Sequence, residues 1–231
     1  MRVAALFSGG KDSTYAAYVA MQRGWEVTHL VTIRPKDPES MMFHVPNLHL
    51  TPLQAEAMGI PLVTVDAEPG EAGELAALKQ AVSGLAVDGI VVGAIASDYQ
   101  HSRVHRVADE LGLRVFAPLW RLEPEALLRD YLAAGMRVLV VGVFAEGLGP
   151  EWLGRELDDA AVRDLLRLHR QKGVSPVGEG GEYESLVLDA PFFHRRLEIT
   201  AMEKAWRGTS GHATIRAVLA IAPGRSGAAP I

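Results

Sequence analysis

The sequence predicts an α/β protein: a doubly wound parallel five-stranded sheet, followed by a second, smaller α+β domain. Three observations carry that expectation. The apolar runs of the first half do not alternate with polar residues, so their strands are buried on both faces. Amphipathic helical stretches separate them, as crossovers between parallel strands require. After about residue 121 this rhythm gives way to a mixed pattern.

Each element has its own signal. Residues 3–7 form the first strand, stopped by Ser8-Gly9-Gly10. Residues 13–23 are good helix formers and end at Gly24, a residue suited to a helix C-terminus. Strands two to five are expected at residues 27–33, 62–65, 90–95 and 114–117, with helices between them at 51–58, 71–85 and 98–111. In the second half, a helix at 124–134 leads to a strand at 138–144, and a further amphipathic helix spans 158–169. Gly and Pro mark residues 173–181 as a loop, and strands are expected at 186–188, 197–200 and 214–221. The expected division is a domain at 1–120, a domain at 121–222 and a frayed tail at 223–231.

Composition narrows the function. The 231 residues carry a net charge of −5, so no general basic excess grips a nucleic-acid backbone, and direct nucleic-acid binding is not expected. The absence of cysteine excludes disulfides, thiolate zinc sites, iron–sulfur clusters and a thiol nucleophile. Apolar runs such as 90–96 and 138–145 fall far below the ~18 residues of a membrane span. Residues 3–7 are too short for a signal-peptide core. A soluble, cytoplasmic protein is expected.

The chemistry concentrates at Ser8-Gly9-Gly10-Lys11-Asp12-Ser13, on a strand–loop–helix junction. The glycines let backbone amides approach an anion, Lys11 adds a cation, and Ser13 adds a hydroxyl where the helix dipole favours phosphate. Ala5 stands where a Walker loop needs its first glycine, so this is another kind of loop. It resembles the PP-loop of the N-type ATP pyrophosphatases, which cleave ATP between its α- and β-phosphates. That resemblance implies a HUP-like sheet of the adenine nucleotide alpha hydrolase type.

Three further segments narrow the family. They are residues 42–51 (MFHVPNLHLT), 93–103 (GAIASDYQHSR) and 178–185 (GEGGEYES), the last following Glu146-Gly147-Leu148-Gly149. Together with the loop they are similar to the diphthine–ammonia ligase family, or diphthamide synthetases, over nearly the whole chain. Ser185 departs mildly, since Thr is expected there in many members. The resemblance implies an ATP-dependent amide ligase that adenylates the diphthine carboxylate of elongation factor 2 and amidates it with ammonium, releasing AMP and pyrophosphate.

On that basis Ser8, Gly9, Gly10, Lys11 and Ser13 are expected to hold the phosphates. Asp12 is either a Mg²⁺ ligand or a cap for the helix start. Adenine is expected at the tip of the second strand, near Val31, Thr32 and Ile33, with Phe43 or His44 beside it unless Phe43 is simply core. Gly93, Ser97, Asp98, Tyr99 and Arg103 leave the fourth strand toward substrate or the α-phosphate, although Ser97 or Asp98 also suits a helix N-cap. Glu179, Gly180, Glu182 and Tyr183 are expected to receive the cationic groups of diphthine or ammonium, with Tyr183 as a cation–π face; a solvated acidic loop is the plain alternative. Lys11, Asp12, Arg103 and Glu182 are the expected catalytic residues.

His101 and His105 have a metal-binding spacing but no third ligand in view, and the four tryptophans are scattered as packing residues. Two rival functions remain. One is a PP-loop enzyme adenylating a tRNA base or a metabolite; without cysteine a persulfide relay is hard to arrange, and acidity disfavours tRNA. The other is a nucleotide-binding sensor that performs no chemistry.

Overall fold

The computed structural model describes residues 1–36 and 47–221. Within them, β1 (Arg2–Leu6), β2 (Glu26–Pro35), β3 (Leu62–Ala67), β4 (Gly89–Val91) and β5 (Arg114–Phe116) form a five-stranded sheet in the order β3-β2-β1-β4-β5. All four of its pairings are parallel. The helices α1 (Lys11–Gln22), α2 (Thr51–Met58), α3 (Glu71–Ser83) and α4 (Asp98–Leu111) are its crossovers. Alternate side chains divide each strand between two cores. Val3 and Ala5 pack with α1 and α2 on one face, while Ala4, Val31, Ile33 and Ile90 pack beneath α3 and α4 on the other.

The second half contains α5 (Pro124–Ala133), β6 (Arg137–Val143), α6 (Asp159–Lys172), β7 (Tyr183–Asp189), β8 (Arg195–Arg207) and β9 (Ser210–Ile221). Its strands form an antiparallel sheet in the order β7-β6-β9-β8. This smaller α+β unit shares its apolar core with the α1–α2 face of the parallel sheet. That shared core holds the two sheets in a fixed relation, and it leaves β7 as an edge strand facing the start of α1.

The main departures from the sequence expectations are the fourth strand and the last hairpin. The expected fourth strand stops at Val91 rather than Ile95. Beyond it Gly93 lies against the first turn of α1, where an added Cβ would come within 2.7 Å of the Asp12 carbonyl carbon. The chain there leaves the sheet to make room for a site. The hairpin β8–β9 is far longer than expected, pairing Arg195 with Ile221 through to Arg207 with Ser210. Exposed Glu198, Glu203 and Lys204 break up its apolar signal, and a bulge between Ile199 and Ala201 shifts the phase of alternation.

The expected positions of Phe43 and His44, and the whole of the expected tail, lie outside the described residues. Among the described residues no helix is long and apolar enough to cross a membrane.

Candidate active site

The order of the parallel sheet reverses between β1 and β4, and this is where such sheets open a crevice at their carboxyl ends. A cavity of ≈ 160 Å³ lies there. One wall is apolar, built from Leu6, Val31, Ile33, Val92 and Val104; the other is polar, built from Ser8, Asp12, Ser13, Ser97, Gln100 and Glu179. An apolar slot leading to convergent polar groups suits a flat base joined to an anionic tail.

The Gly-rich loop contributes Ser8, Asp12 and Ser13 to the polar wall. Gly9 has φ +80, a left-handed conformation that glycine adopts without strain. The Ser8 and Ser13 hydroxyls lie 3.2 Å apart, and Ser13 Oγ also accepts from the Ser8 N–H at 3.2 Å. Gly10 is the N-cap of α1 and has no side chain to cap with. Ser185 of β7 supplies the missing acceptor, since its hydroxyl takes the Lys11 N–H at 3.1 Å. The loop therefore docks on the edge of the second sheet.

Lys11 and Asp12 have definite partners. The Lys11 side chain is only 3% exposed; its ammonium donates to the Val177 carbonyl at 2.6 Å and to Asp12 Oδ2 at 2.9 Å. Tyr131, fully buried on α5, donates its hydroxyl to Asp12 Oδ1 at 2.6 Å. Asp12 is thus held as an oriented carboxylate at the cavity wall, which corrects the helix-cap alternative. Burial and the Asp12 charge push the Tyr131 hydroxyl well above the usual phenol range, so it stays a proton donor in this bond.

Several residues sit otherwise than the sequence suggested. Thr32 turns away from the cavity and donates to the Phe7 carbonyl at 2.7 Å, because neighbours on a strand face opposite sides and Val31 and Ile33 take the cavity side. Tyr183 is buried, donates to the Pro176 carbonyl at 2.8 Å, and already has the Lys11 ammonium 5.0 Å over its ring. Its face is not open to an incoming cation. Arg103 lies on the Tyr99 ring, 3.3 Å from the centroid, and pairs with Glu71 of α3 outside the cavity wall. Asp98 is exposed and also outside that wall, leaving Ser97 as the N-cap of α4 through its bond from Gln100 N–H at 3.3 Å.

The acidic loop does reach the cavity. Gly178 and Glu179 line it, and the Glu179 carboxylate accepts from the Ala96 N–H ahead of α4. Glu182 instead braces its own loop, accepting from the Ser175 N–H at 3.0 Å, and exposed Gly180 leaves room for that carboxylate.

Burial raises the Glu179 pKa above the ordinary carboxylate value; the Asp12 and Glu182 charges push the same way, against the pull of the Ala96 and Ser97 amides. The folded chain thus holds this proton more tightly than the unfolded one. Its stabilising effect is complete below the ordinary carboxylate pKa and is lost as pH rises through the raised folded value. The Glu179→Gln variant keeps an acceptor for the amide and never charges. It is expected to melt above the parent near pH 7, with the gap closing toward about pH 4, near the free carboxylate value. Thermal melts across that range check the sign, and a gap that grows toward acid would reverse it.

Sequence reasoning missed Gln54 and Tyr131. Gln54 donates from Nε2 to the carbonyls of Gly9, at 2.9 Å, and Val187, at 2.8 Å. Tyr131 follows Leu127 and Leu128 on the apolar face of α5, so its spacing reads as core. In Gln54 the only available signal was a polar residue on the buried face of α2.

Fold and site together define an α/β protein with a nucleotide-binding type of sheet, a Gly-rich loop after the first strand and an acidic loop that reaches the same crevice. The chain belongs to the diphthamide synthase family. The model of the diphthamide synthase N-terminal domain matches residues 1–115, and that of the C-terminal domain matches residues 123–221. A diphthine–ammonia ligase of Mus musculus is 34% identical over 93% of this chain and 89% of its own length. One from Homo sapiens is 36% identical over 88% of this chain and 84% of its own. One from Saccharomyces cerevisiae is 30% identical over 94% of this chain, which spans 37% of that protein. A solved chain from Methanocaldococcus jannaschii, described as a "predicted subunit of tRNA methyltransferase", aligns with 83% of this chain and 98% of its own at 17% identity and TM-score 0.45, too distant a likeness to bear on function.

Proposed function

We propose that this chain is an ATP-dependent diphthine–ammonia ligase. It transfers AMP from ATP to the diphthine carboxylate of elongation factor 2, in the cytoplasm, and ammonia then displaces the AMP to leave the amide of diphthamide. A carboxylate resists attack because its charge repels nucleophiles and oxide is a poor leaving group. The acyl-adenylate supplies a good leaving group, so the protein's tasks are to position reactants and to stabilise phosphate charge.

The observation that carries this reading is the meeting of two distant segments at one cavity. Ser8, Asp12 and Ser13 of the loop form a phosphate-suited part of its wall, and Glu179, from residues 178–185, adds to that wall. Adenine fits against Val31, Ile33 and Val104; Ser8, Ser13 and the amides of the loop receive the departing diphosphate, and Lys11 supplies positive charge beside Asp12. Gly178 and Glu179 face the acyl group and its nucleophile. Ser97 and Gln100 border the α-phosphate.

Asp12 is the residue fitted to hold Mg²⁺. Its carboxylate lies in the cavity wall, Oδ2 accepting from Lys11 and Oδ1 from Tyr131, and each carboxylate oxygen can accept a second bond. Among the described residues no group of three potential metal ligands forms a protein cage. Mg²⁺ suits such a site because it commonly takes one or two carboxylates and completes its shell with phosphate oxygens and water. The ion would supply charge neutralisation to the phosphates.

The test is an incubation with ATP, Mg²⁺, ammonium and diphthine-bearing elongation factor 2, read by mass spectrometry of the factor and by release of AMP and pyrophosphate. Conversion of acid to amide with one AMP per amide is expected. An unchanged factor, or AMP formed only with another acceptor, would overturn the assignment.

A further inference from the structure

The phosphate loop is pinned from behind by side chains that the chemistry above does not use. Gln54 is fully buried in α2, and its Nε2 donates both to the Gly9 carbonyl and to the Val187 carbonyl of β7. Val187 returns a bond, its N–H donating to Gly9 O at 2.9 Å. The Gly9 carbonyl thus has two donors, one from each domain. Gln54 Oε1, by contrast, is buried with no partner among the described residues. A buried acceptor without a partner is costly, and an apolar side chain of the same size would avoid that cost. What the amide contributes here is its pair of donors.

Peptide geometry converts that anchor into function. In a trans peptide the C=O of one residue and the N–H of the next point in opposite directions in one plane, and the described chain has no cis bonds. Holding the Gly9 carbonyl toward β7 therefore turns the Gly10 N–H the other way. There it meets Ser8 Oγ at 3.4 Å, and Ser8 lines the cavity. A glycine loop has many conformations to lose, so an external anchor determines whether its amide is already presented to an anion.

We propose that Gln54, assisted by Ser185, is a positioning residue for the diphosphate-binding loop, presenting the Gly10 N–H to the two terminal phosphates of ATP. This rests on the reading of residues 8–13 as the loop that grips the departing diphosphate. AMP lacks those phosphates, so the pair should matter to ATP and not to AMP.

Calorimetric titration with ATP and Mg²⁺, and separately with AMP, tests this on the full chain without acceptor. Gln54→Met preserves the bulk of the side chain and removes both donors; it is expected to weaken ATP binding about tenfold, the equivalent of one good hydrogen bond, while AMP binding holds. Ser185→Ala should show a smaller loss of the same kind, and Ser185→Thr, which keeps the hydroxyl, should bind ATP as the parent does. If Gln54→Met fails to fold, the Ser185 pair decides alone. Equal losses for ATP and AMP, or no loss in a folded variant, would overturn the proposal. A parent protein that binds AMP as tightly as ATP would overturn the phosphate-loop reading itself, a result visible before any variant is made.

Discussion

Replacing Lys11 by Met is expected to reduce AMP formation by about 10²- to 10³-fold, the usual cost of removing one preorganised charge from a transition state. Met matches the length of the stem and removes only the ammonium, so the change isolates charge from packing. As pyrophosphate departs, negative charge accumulates on its bridging oxygen, and the Lys11 ammonium, held beside the cavity-lining Asp12, is expected to offset that charge through space. The variant also strips the buried Val177 carbonyl of its 2.6 Å donor. An unsatisfied buried acceptor costs about 1–3 kcal/mol. For a chain of this size each kcal/mol corresponds to about 2–4 °C, so melting a few degrees lower should accompany the kinetic loss. Lys11→Arg should not rescue, because a planar guanidinium does not fit a space where the parent side chain is 3% exposed. Steady-state AMP release with scanning calorimetry separates the two effects. Turnover within about threefold of the parent, in a folded variant, would show that the ammonium has no part in the chemistry.

The different legibility of residues in the sequence has physical causes. The parallel sheet was readable because strands covered on both faces, such as Val3–Ala4–Ala5 and Leu30–Val31, leave unbroken apolar runs. The loop was readable because its turn imposes a local demand: at φ +80 the backbone selects glycine at position 9. Directions of side chains are another matter. Lys11 turns toward Val177, 166 residues away, and Asp12 is oriented by Tyr131 at a separation of 119. Such contacts exist only once the second sheet has packed on the first, and no local pattern encodes them. Thr32 is the instructive intermediate. Strand alternation alone places it opposite Val31 and Ile33, so its exclusion from the cavity was within reach of periodicity. Tyr183 was not, because a tyrosine at the start of a strand looks the same in sequence whether its face is open or already covered by an ammonium.

One steric constraint in the site comes from a residue that carries no functional group and presses on backbone alone. Gly93→Ala is expected to disable nucleotide binding and to destabilise the fold together. A Cβ there would lie 2.7 Å from the Asp12 carbonyl carbon and 2.8 Å from both the Asp12 oxygen and the Ser13 nitrogen. These are backbone atoms of the first turn of α1, so no side chain can swing aside. Either α1 moves off β4 or the segment after β4 is pushed outward. Overpacking of this kind typically costs about 1–3 kcal/mol, or roughly 2–12 °C for a chain of this length. The effect on binding should exceed what instability explains, because both available displacements move the cavity wall: the first shifts Asp12 and Ser13, the second shifts Gly93 and Val92. Gly84→Ala makes the same chemical change at a site where an added Cβ meets nothing within 4 Å, and it controls for the loss of a glycine as such. Titrations with ATP and AMP beside thermal melts distinguish the cases. In Gly93→Ala both nucleotides should bind at least tenfold more weakly, since the whole wall moves, whereas loss of the Gln54 anchor weakens ATP alone. Nucleotide affinity equal to that of Gly84→Ala would mean that α1 and the end of β4 do not meet as the structure has them, and the cavity between them would have to be redrawn.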